Sequence, residues 1–299
     1  MISIKQLIYA LAVERTLHFK KAAELCNISP SALSTSLAEF EKQLGFAVFE
    51  RDNKKVLITA LGKQVLEKAK AIKLLTDDLE RLKEIQKAPL SGPMSIGIIP
   101  TISPFLLPII LPILRDNYPA LNLDVSEEQS HVLVEQVRTG ELDAAILALP
   151  YQTKGLLSFT FWHENFYWVT HKQDKLASLS SIHTDDVDVD KLMLLKEGHC
   201  LKDHALAACK LSHIAPHSLS ATSLATLVQL VAGKMGSTLV PDMALSSLVE
   251  HNHELISIPL ADQGPHRTIA FIVRPNYPRV NNIEILMDLF NQEMTKKHS

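Results

Sequence analysis

The chain holds three cysteines, and two of them, Cys200 and Cys209, fall within one short stretch, GHCLKDHALAACK, residues 198–210. The thiolate is the nucleophilic form of cysteine, and two thiols brought together can be joined as a disulfide by a two-electron oxidant. The spacing is the informative part. LKDHALAAC is rich in Ala and Leu, strong helix formers, so the segment is expected to be helical. Nine residues of α-helix rise about 14 Å, whereas a disulfide holds its Cα atoms about 4.4–6.8 Å apart. Helix and bridge exclude each other, so oxidation must unwind or refold this segment. The alternative is a pair of unreactive core thiols, since free cysteines are commonly buried. Cys26, in a different part of the chain, is expected to be such a core residue.

The frame that positions these thiols is a chain of 299 residues, 46% hydrophobic and 21% charged, enough for two globular domains. MISIKQLIYALAVERTLHF meets charge early and carries no small-residue cleavage site, which argues against a secretory leader. Three cysteines do not make a secreted disulfide framework, so a reducing cytoplasm is expected and a disulfide there would be transient. SIGIIPTISPFLLPIILPIL is long enough to cross a bilayer, but Pro100, Pro104, Pro108 and Pro112 each remove a backbone donor that hydrocarbon cannot replace. A strand, a turn and a helix with one apolar face are expected there, and no membrane role. Residues 1–90 hold 15 Lys and Arg against 11 Asp and Glu, and the remainder 15 against 22. A positive first part suits a polyanionic partner.

In that first part, IKQLIYALAVERT places apolar residues at 4, 7, 8 and 11, helical spacing. HFKKAAELCNISPSALSTSLAEFEKQLG reads as two helices around the turn CNIS, with Ser29 as N-cap and Pro30 at the first helical position. Leu33, Leu37, Phe40 and Leu44 form the apolar stripe of the second helix, and Gly45 ends it. VFERDNKKVLITALG follows as a hairpin. The pattern fits a winged helix-turn-helix whose second helix enters the major groove of double-stranded DNA. Pro30, Ser31, Ala32, Ser34, Thr35 and Ser36 are the candidate contacts on that helix, and Arg51, Lys54 and Lys55 those on the wing. Farther on, Val65, Ile72 and Leu79, with Leu75 and Leu82, are spaced by sevens, the seam of a paired helix. KAPLSGPMS then marks a boundary. The expected domains are 1–62, DNA-binding; 63–89, linker and dimerisation helix; and 90–299, regulatory.

In the last two hundred residues short apolar strands (MSIGIIP, LNLDVSE, LDAAILAL, FYWVTH, LMLLKEG, GSTLVPD, RTIAFIVRP) alternate with helical stretches, which predicts an α/β fold with largely parallel sheets. His213, His217, His251 and His253 sit in loops without the further ligands that a metal needs.

SPSALSTSLAEFEKQLG, VFERDNKKVLIT and ALGKQVL, in this order of elements, resemble the LysR-type transcriptional regulators over the whole chain. Within that family GIIPTISPFLLPIILPIL, LDAAILAL, EGHCLKDHALAACK, ATSLATL and HRTIAFIVRP resemble the OxyR-type peroxide sensors. The resemblance implies a winged helix-turn-helix, a long dimerisation helix, and a two-lobed effector domain like a periplasmic binding protein. It implies that Cys200 reacts with hydrogen peroxide and Cys209 resolves it, and that Thr101, Ser130, His199, Asp203 and Arg267 serve the peroxide site. Ser130 stands where threonine is the pattern, and Lys202 where arginine is common. The implied partners are promoter DNA, hydrogen peroxide, RNA polymerase, a cellular dithiol reductant and further copies of the chain, as homodimer or homotetramer, without a cofactor or metal. The implied protein is a cytoplasmic, nucleoid-associated activator rather than an enzyme. Cys200, at a helix start beside His199 and Lys202 and with Arg267 as a possible neighbour, is expected to have its acidity raised. The competing readings are a LysR-type regulator answering a small organic ligand between the lobes, and a thiol peroxidase.

Overall fold

Ser3 starts the first helix with a reciprocal cap: its Oγ accepts from the Gln6 N–H, and the Gln6 side chain accepts from the Ser3 N–H at 2.8 Å. The computed structural model describes residues 1–52, 55–81, 88–183, 186, 191–209, 221–262 and 264–298. They fall into two units, Met1–Gln86 and Lys87–Ser299, each with its own hydrophobic core.

The first unit contains α1 (Ile4–Thr16), α2 (Phe19–Leu25), α3 (Pro30–Leu44), the hairpin β1 (Phe49–Asp52) and β2 (Lys55–Ile58), and α4 (Ala60–Arg81). The buried face of α1 is Gln6, Leu7, Ala10 and Val13, while Ile4 and Ile8 stay exposed. The 4-7-8-11 spacing therefore misplaced the core-facing stripe, because α1 packs against three helices and its neighbours choose the face. On α3 the expectation held but for Leu44, which is half-buried: Ser29 Oγ accepts from the Ala32 N–H, Pro30 opens the helix, Leu33, Leu37 and Phe40 are buried, and Gly45 closes it at φ +80°. Glu41, farther along α3, accepts from the N–H groups of Val48 and Phe49 at 2.7 and 2.9 Å and so fixes where the hairpin begins. A Cβ at Gly62 would lie 2.2 Å from the Val48 carbonyl oxygen, so only glycine lets α4 start this close to the hairpin. Leu66 and Ala69 of α4 join the core, whereas Ile72, Leu75 and Leu79 remain exposed along one helix. Leu82 lies outside the described residues.

The second unit has two sheets. The first, in the order β4-β3-β5-β10-β6, combines β3 (Gly92–Ile98), β4 (Leu121–Glu127), β5 (Ala144–Leu149), β6 (Leu157–Glu164) and β10 (Arg267–Val273). The second joins β7 (Phe166–His171), β8 (Thr238–Pro241) and β9 (Leu255–Pro259) in the order β8-β7-β9. Around them lie α5 (Ser103–Asn117), α6 (Ser130–Thr139), α7 (Cys200–Ala208), α8 (Leu224–Ala232), α9 (Asp242–Leu248) and α10 (Val280–His298). The chain leaves the first lobe after Glu164 and returns at Arg267, so β6 and β10 are neighbouring antiparallel strands at the crossing.

The expectation of largely parallel sheets needs correction. Among the described strands the parallel pairings are those of β3 with β4 and β5; β10 runs antiparallel to β5 and β6, and β7 antiparallel to β8 and β9. The returning strand enters from the opposite end, which no local pattern reveals. LMLLKEG contributes only isolated parallel bridges, Leu192 to Ser237 and Leu195 to Ala221, and the strands at 157–164 and 255–259 were not foreseen. The apolar stretch at 95–114 becomes β3, a turn and α5, as expected. Pro104, Pro108 and Pro112 follow one another at four-residue intervals on the exposed side of α5, where water serves the carbonyls they leave unpaired. No helix among the described residues is long and apolar enough to cross a membrane.

Candidate functional site

Cys200 is the first residue of α7 and Cys209 its C-cap, so the two thiols stand at opposite ends of one helix. Both are free and 4% exposed. The helix is short and its start carries no side-chain cap, because His199 in the N-cap position makes no such bond.

Cys200 lines a tight cleft with Ile99, Pro100, Thr101, Gln129, Ser130, Gly198 and His199, whose walls leave a cavity volume of about 0 Å³ for a water-sized molecule. Three helices supply the polar part of this lining at their starts: Thr101 just before α5, Ser130 as the first residue of α6, and Cys200 as the first of α7. Helix N-termini carry partial positive charge, so the pocket suits a thiolate or a departing hydroxide. Thr101 and Ser130 are 2% and 1% exposed, with their hydroxyls in the interior. Ser130 Oγ makes no hydrogen bond of good geometry among the described residues, and it lowers the pKa of the adjacent Cys200 thiol.

Behind Thr101 stands Arg267. Its Nη1 donates to Thr101 Oγ1 at 3.2 Å, its Nη2 to the Thr101 carbonyl at 3.3 Å, and its Nε to the Glu164 carboxylate. Both side chains of the Arg267–Glu164 pair are fully buried, and the guanidinium lies 5.9 Å from the Phe166 ring centroid. The other Glu164 oxygen accepts from the Met243 N–H at 3.1 Å. One ion pair thus ties the crossing between lobes to the threonine loop. Fixing such a pair matters, since removing either partner strands a buried charge.

Electrostatics at Cys200 differ from the expectation. Burial pushes the thiol up; Ser130, Arg267 and the Ala148 backbone pull it down, and Asp203 adds to the rise. The cation present is Arg267. His199 is buried and has its pKa lowered by that burial, which favours the neutral ring, and Lys202 pairs with Glu197 at 3.4 Å near the surface. The raised acidity expected from adjacent cations is therefore outweighed by desolvation in this fold. Cys209 is likewise held as a thiol, pushed up to about 11 by burial and then by Asp262.

The structure brings together Cys200, Thr101, Ser130 and His199 in the pocket, with Arg267 one contact behind. Asp203 is on the exposed side of α7, outside the lining. Glu164, Gln129 and Gly198 were missed. Gly198 has φ +94°, and a Cβ there would approach Gln129 Oε1 to 2.4 Å. A glycine just before the cysteine was the available signal; Glu164 lies 103 positions from Arg267 and gave none. Cys26 ends α2 and is partly buried against the first core. Among the described residues no group of potential ligands could hold a metal ion, and His251 and His253 are exposed; His213 and His217 lie outside them.

On the first unit, Pro30, Ser31, Ala32 and Thr35 are exposed, and Ser34 and Ser36 half-exposed, around the first two turns of α3. Ser31 Oγ is 3.0 Å from Ser29 Oγ, within the cap. Lys55 is exposed at the start of β2; Lys54 and the side chain of Arg51 lie outside the described residues.

Two family descriptions cover nearly the whole chain: a bacterial regulatory helix-turn-helix protein of the lysR family over residues 4–63, and a LysR substrate binding domain over 87–295. The chain is 37% identical over 298 residues to the HTH-type transcriptional regulator EstR of Acinetobacter baylyi, covering 99% of this chain and 98% of that one. It is 34% identical to a probable hydrogen peroxide-inducible genes activator of Streptomyces viridosporus, covering 98% and 94%. The structure of a full-length OxyR from Pseudomonas aeruginosa, with a cysteine-to-aspartate substitution, aligns at TM-score 0.79 and 31% identity over 97% of this chain and 95% of that one. A helix-turn-helix unit followed by a two-lobed domain, matched over both parts, settles the family: this chain belongs to the LysR family of transcriptional regulators, which bind DNA and form oligomers.

Proposed function

We propose that this LysR-family regulator senses hydrogen peroxide through a reversible Cys200–Cys209 disulfide. The carrying observation is that both thiols sit on one helix, α7, at opposite ends, with Cys200 at a pocket lined by buried hydroxyls. A relative named for peroxide-inducible genes and a solved OxyR of similar fold support the choice of oxidant.

In the proposed reaction the Cys200 sulfur gives up its proton and attacks one peroxide oxygen. The O–O bond breaks, the departing hydroxide takes a proton and leaves as water, and Cys200 becomes a sulfenic acid. Thr101 and Ser130 orient the peroxide, His199 closes the pocket, and Arg267 favours the negative charge that develops. Asp203, on the exposed side of α7, acts on the thiol by charge alone. Cys209 then attacks the Cys200 sulfur, a second water leaves, and the disulfide forms. That bond requires α7 to unwind, since a helix of this length keeps the two Cα atoms about 14 Å apart. A cellular dithiol reductant restores the thiols. The refolded segment changes how regulatory domains pair and so moves the winged helices along promoter DNA, where Ser31, Ser34, Thr35, Ser36, Arg51, Lys54 and Lys55 make contacts and RNA polymerase is the downstream partner. The exposed Ile72, Leu75 and Leu79 of α4 suit the pairing of two copies.

The test is peroxide titration of the reduced full-length chain, with the 200–209 bridge followed by mass spectrometry and operator footprints taken before and after. Oxidation is expected to alter the wild-type footprint and to leave that of Cys200→Ser unchanged. Absence of the bridge at micromolar peroxide would favour a small organic effector instead, a reading kept open by the similarity to EstR.

A further inference from the structure

We propose that His204 is the positioning residue of the α7 switch: one hydrogen bond pins the helix in its reduced form, while a buried, unsatisfied ring nitrogen biases the segment toward the bridged form in acid. The inference rests on the disulfide reading above and names a control that the reading does not include.

His204 lies one turn after Cys200, on the same side of α7, and is 3% exposed. Its Nε2 is 3.1 Å from the Pro150 carbonyl oxygen, which can only accept, so Nε2 carries the proton. This bond ties α7 to the segment that follows β5. With that tautomer fixed, Nδ1 is an acceptor, and among the described residues it has no partner. An unsatisfied buried acceptor weighs against the state that buries it. The charged groups that face the ring are Arg267 from β10 and Asp203 from its own helix; burial and Arg267 disfavour the imidazolium, and the Pro150 carbonyl and Asp203 favour it, with burial the largest influence. The reduced fold therefore holds His204 neutral.

Unwinding α7 releases both constraints. Hydrated, the ring regains an ordinary histidine pKa of about 6.5. Reduction of the disulfide takes up two electrons and two protons, since both thiols stay protonated well above neutrality. Below the ordinary histidine value the bridged form carries one more proton, on His204, which reduction expels. Net uptake falls by one proton, a tenfold smaller change in the equilibrium constant per pH unit, or about 30 mV for a two-electron couple. The sign of the His204 contribution is fixed: in acid it offsets one of the two protons that reduction takes up, and so favours the bridged form relative to a chain without a titrating group at 204. His199, also buried with a lowered pKa, can add to this in the wild type, so the comparison must isolate His204.

The experiment equilibrates the full-length chain in glutathione redox buffers from about pH 5 to 8 and measures the fraction of bridged Cys200–Cys209 for wild type and His204→Gln. Glutamine keeps a donor for the Pro150 carbonyl but does not titrate. Above neutrality the two potentials are expected to run parallel; below it the variant's should change about 30 mV per pH unit more steeply, a tenfold difference in equilibrium constant. Parallel lines over the whole range overturn the role of His204 and leave the disulfide reading intact. No bridge in either protein overturns both. If the variant does not fold, the imidazole titration of wild-type His204 by NMR decides: a lowered pKa only in the reduced form supports the proposal, and equal titration in both forms overturns it.

Discussion

Helices α3 and α7 are built on opposite plans. The first is 15 residues long, capped by the Ser29 side chain and Pro30 at one end and by left-handed Gly45 at the other, with Leu33, Leu37 and Phe40 beneath it. The second is 9 residues long, has no side-chain cap, and places Cys200, Leu201, His204 and Ala205 in the interior. Local bonds hold α3; tertiary burial holds α7. A helix that must present one face to DNA gains from being stable in itself, whereas a helix proposed to unwind gains from depending on contacts that chemistry can disturb.

That contrast can be broken by experiment, most severely at the ion pair that braces the pocket. Glu164→Gln leaves the Arg267 charge buried without a full partner and is expected to destabilise the regulatory unit by about 3–5 kcal/mol, read by urea unfolding of the reduced protein. A change below about 1 kcal/mol would mean that water or another group takes over the guanidinium, contrary to its complete burial.

Two of the positive-φ glycines, Gly45 and Gly198, sharpen the comparison. Gly45 has open space where a Cβ would go, so Gly45→Ala meets only backbone strain, about 1 kcal/mol. At Gly198 the same change adds a close approach to Gln129, so Gly198→Ala should be the more damaging and should also slow the reaction of Cys200 with peroxide. Equal losses of stability in paired melts would show that the pocket wall yields freely.

Smaller again is the loss of the α3 cap. Ser29→Ala should reduce stability by about 1 kcal/mol and weaken DNA binding without affecting the bridge. An effect on oxidation of Cys200 would contradict the separation of the two roles.

The mildest effect is a drift with pH. Burial raises both thiol pKa values in the reduced fold, Cys209 to about 11. The unfolded chain ionises its thiols nearer 8.5, so the stabilising difference is present in full below that value and is lost as pH rises toward the folded values. Reduced protein should therefore unfold at progressively lower urea between about pH 8 and 10, less so with Cys209→Ser. Alkylation of Cys200 should keep accelerating past the ordinary thiol range; a plateau near 8.5 would show that the thiol is not desolvated.

Much of this was legible in residue order. Ser29-Pro30 and Gly45 announce both ends of α3 by side-chain chemistry that acts over three or four positions, and the Ala and Leu of 201–208 announce α7 in the same way. The proline pattern at 104, 108 and 112 argued against a membrane span and still allowed a helix with its breaks facing water. The stripe on α1 was misread because three packed helices, rather than its own period, select its buried side. The strand directions were misread because β10 returns from a second lobe.

Sequence alone fixed the incompatibility between helix and bridge over 200–209, since residue count and helical rise need no tertiary information. Only the folded chain decided the state of the thiols. Desolvation depends on what surrounds a group in space, and it turned a cysteine beside His199 and Lys202 into a buried thiol answered by Ser130 and Arg267. Glu164 and Arg267 meet across 103 positions for the same reason: the pair exists because two strands cross between lobes at one place, and no spacing along the chain encodes that meeting.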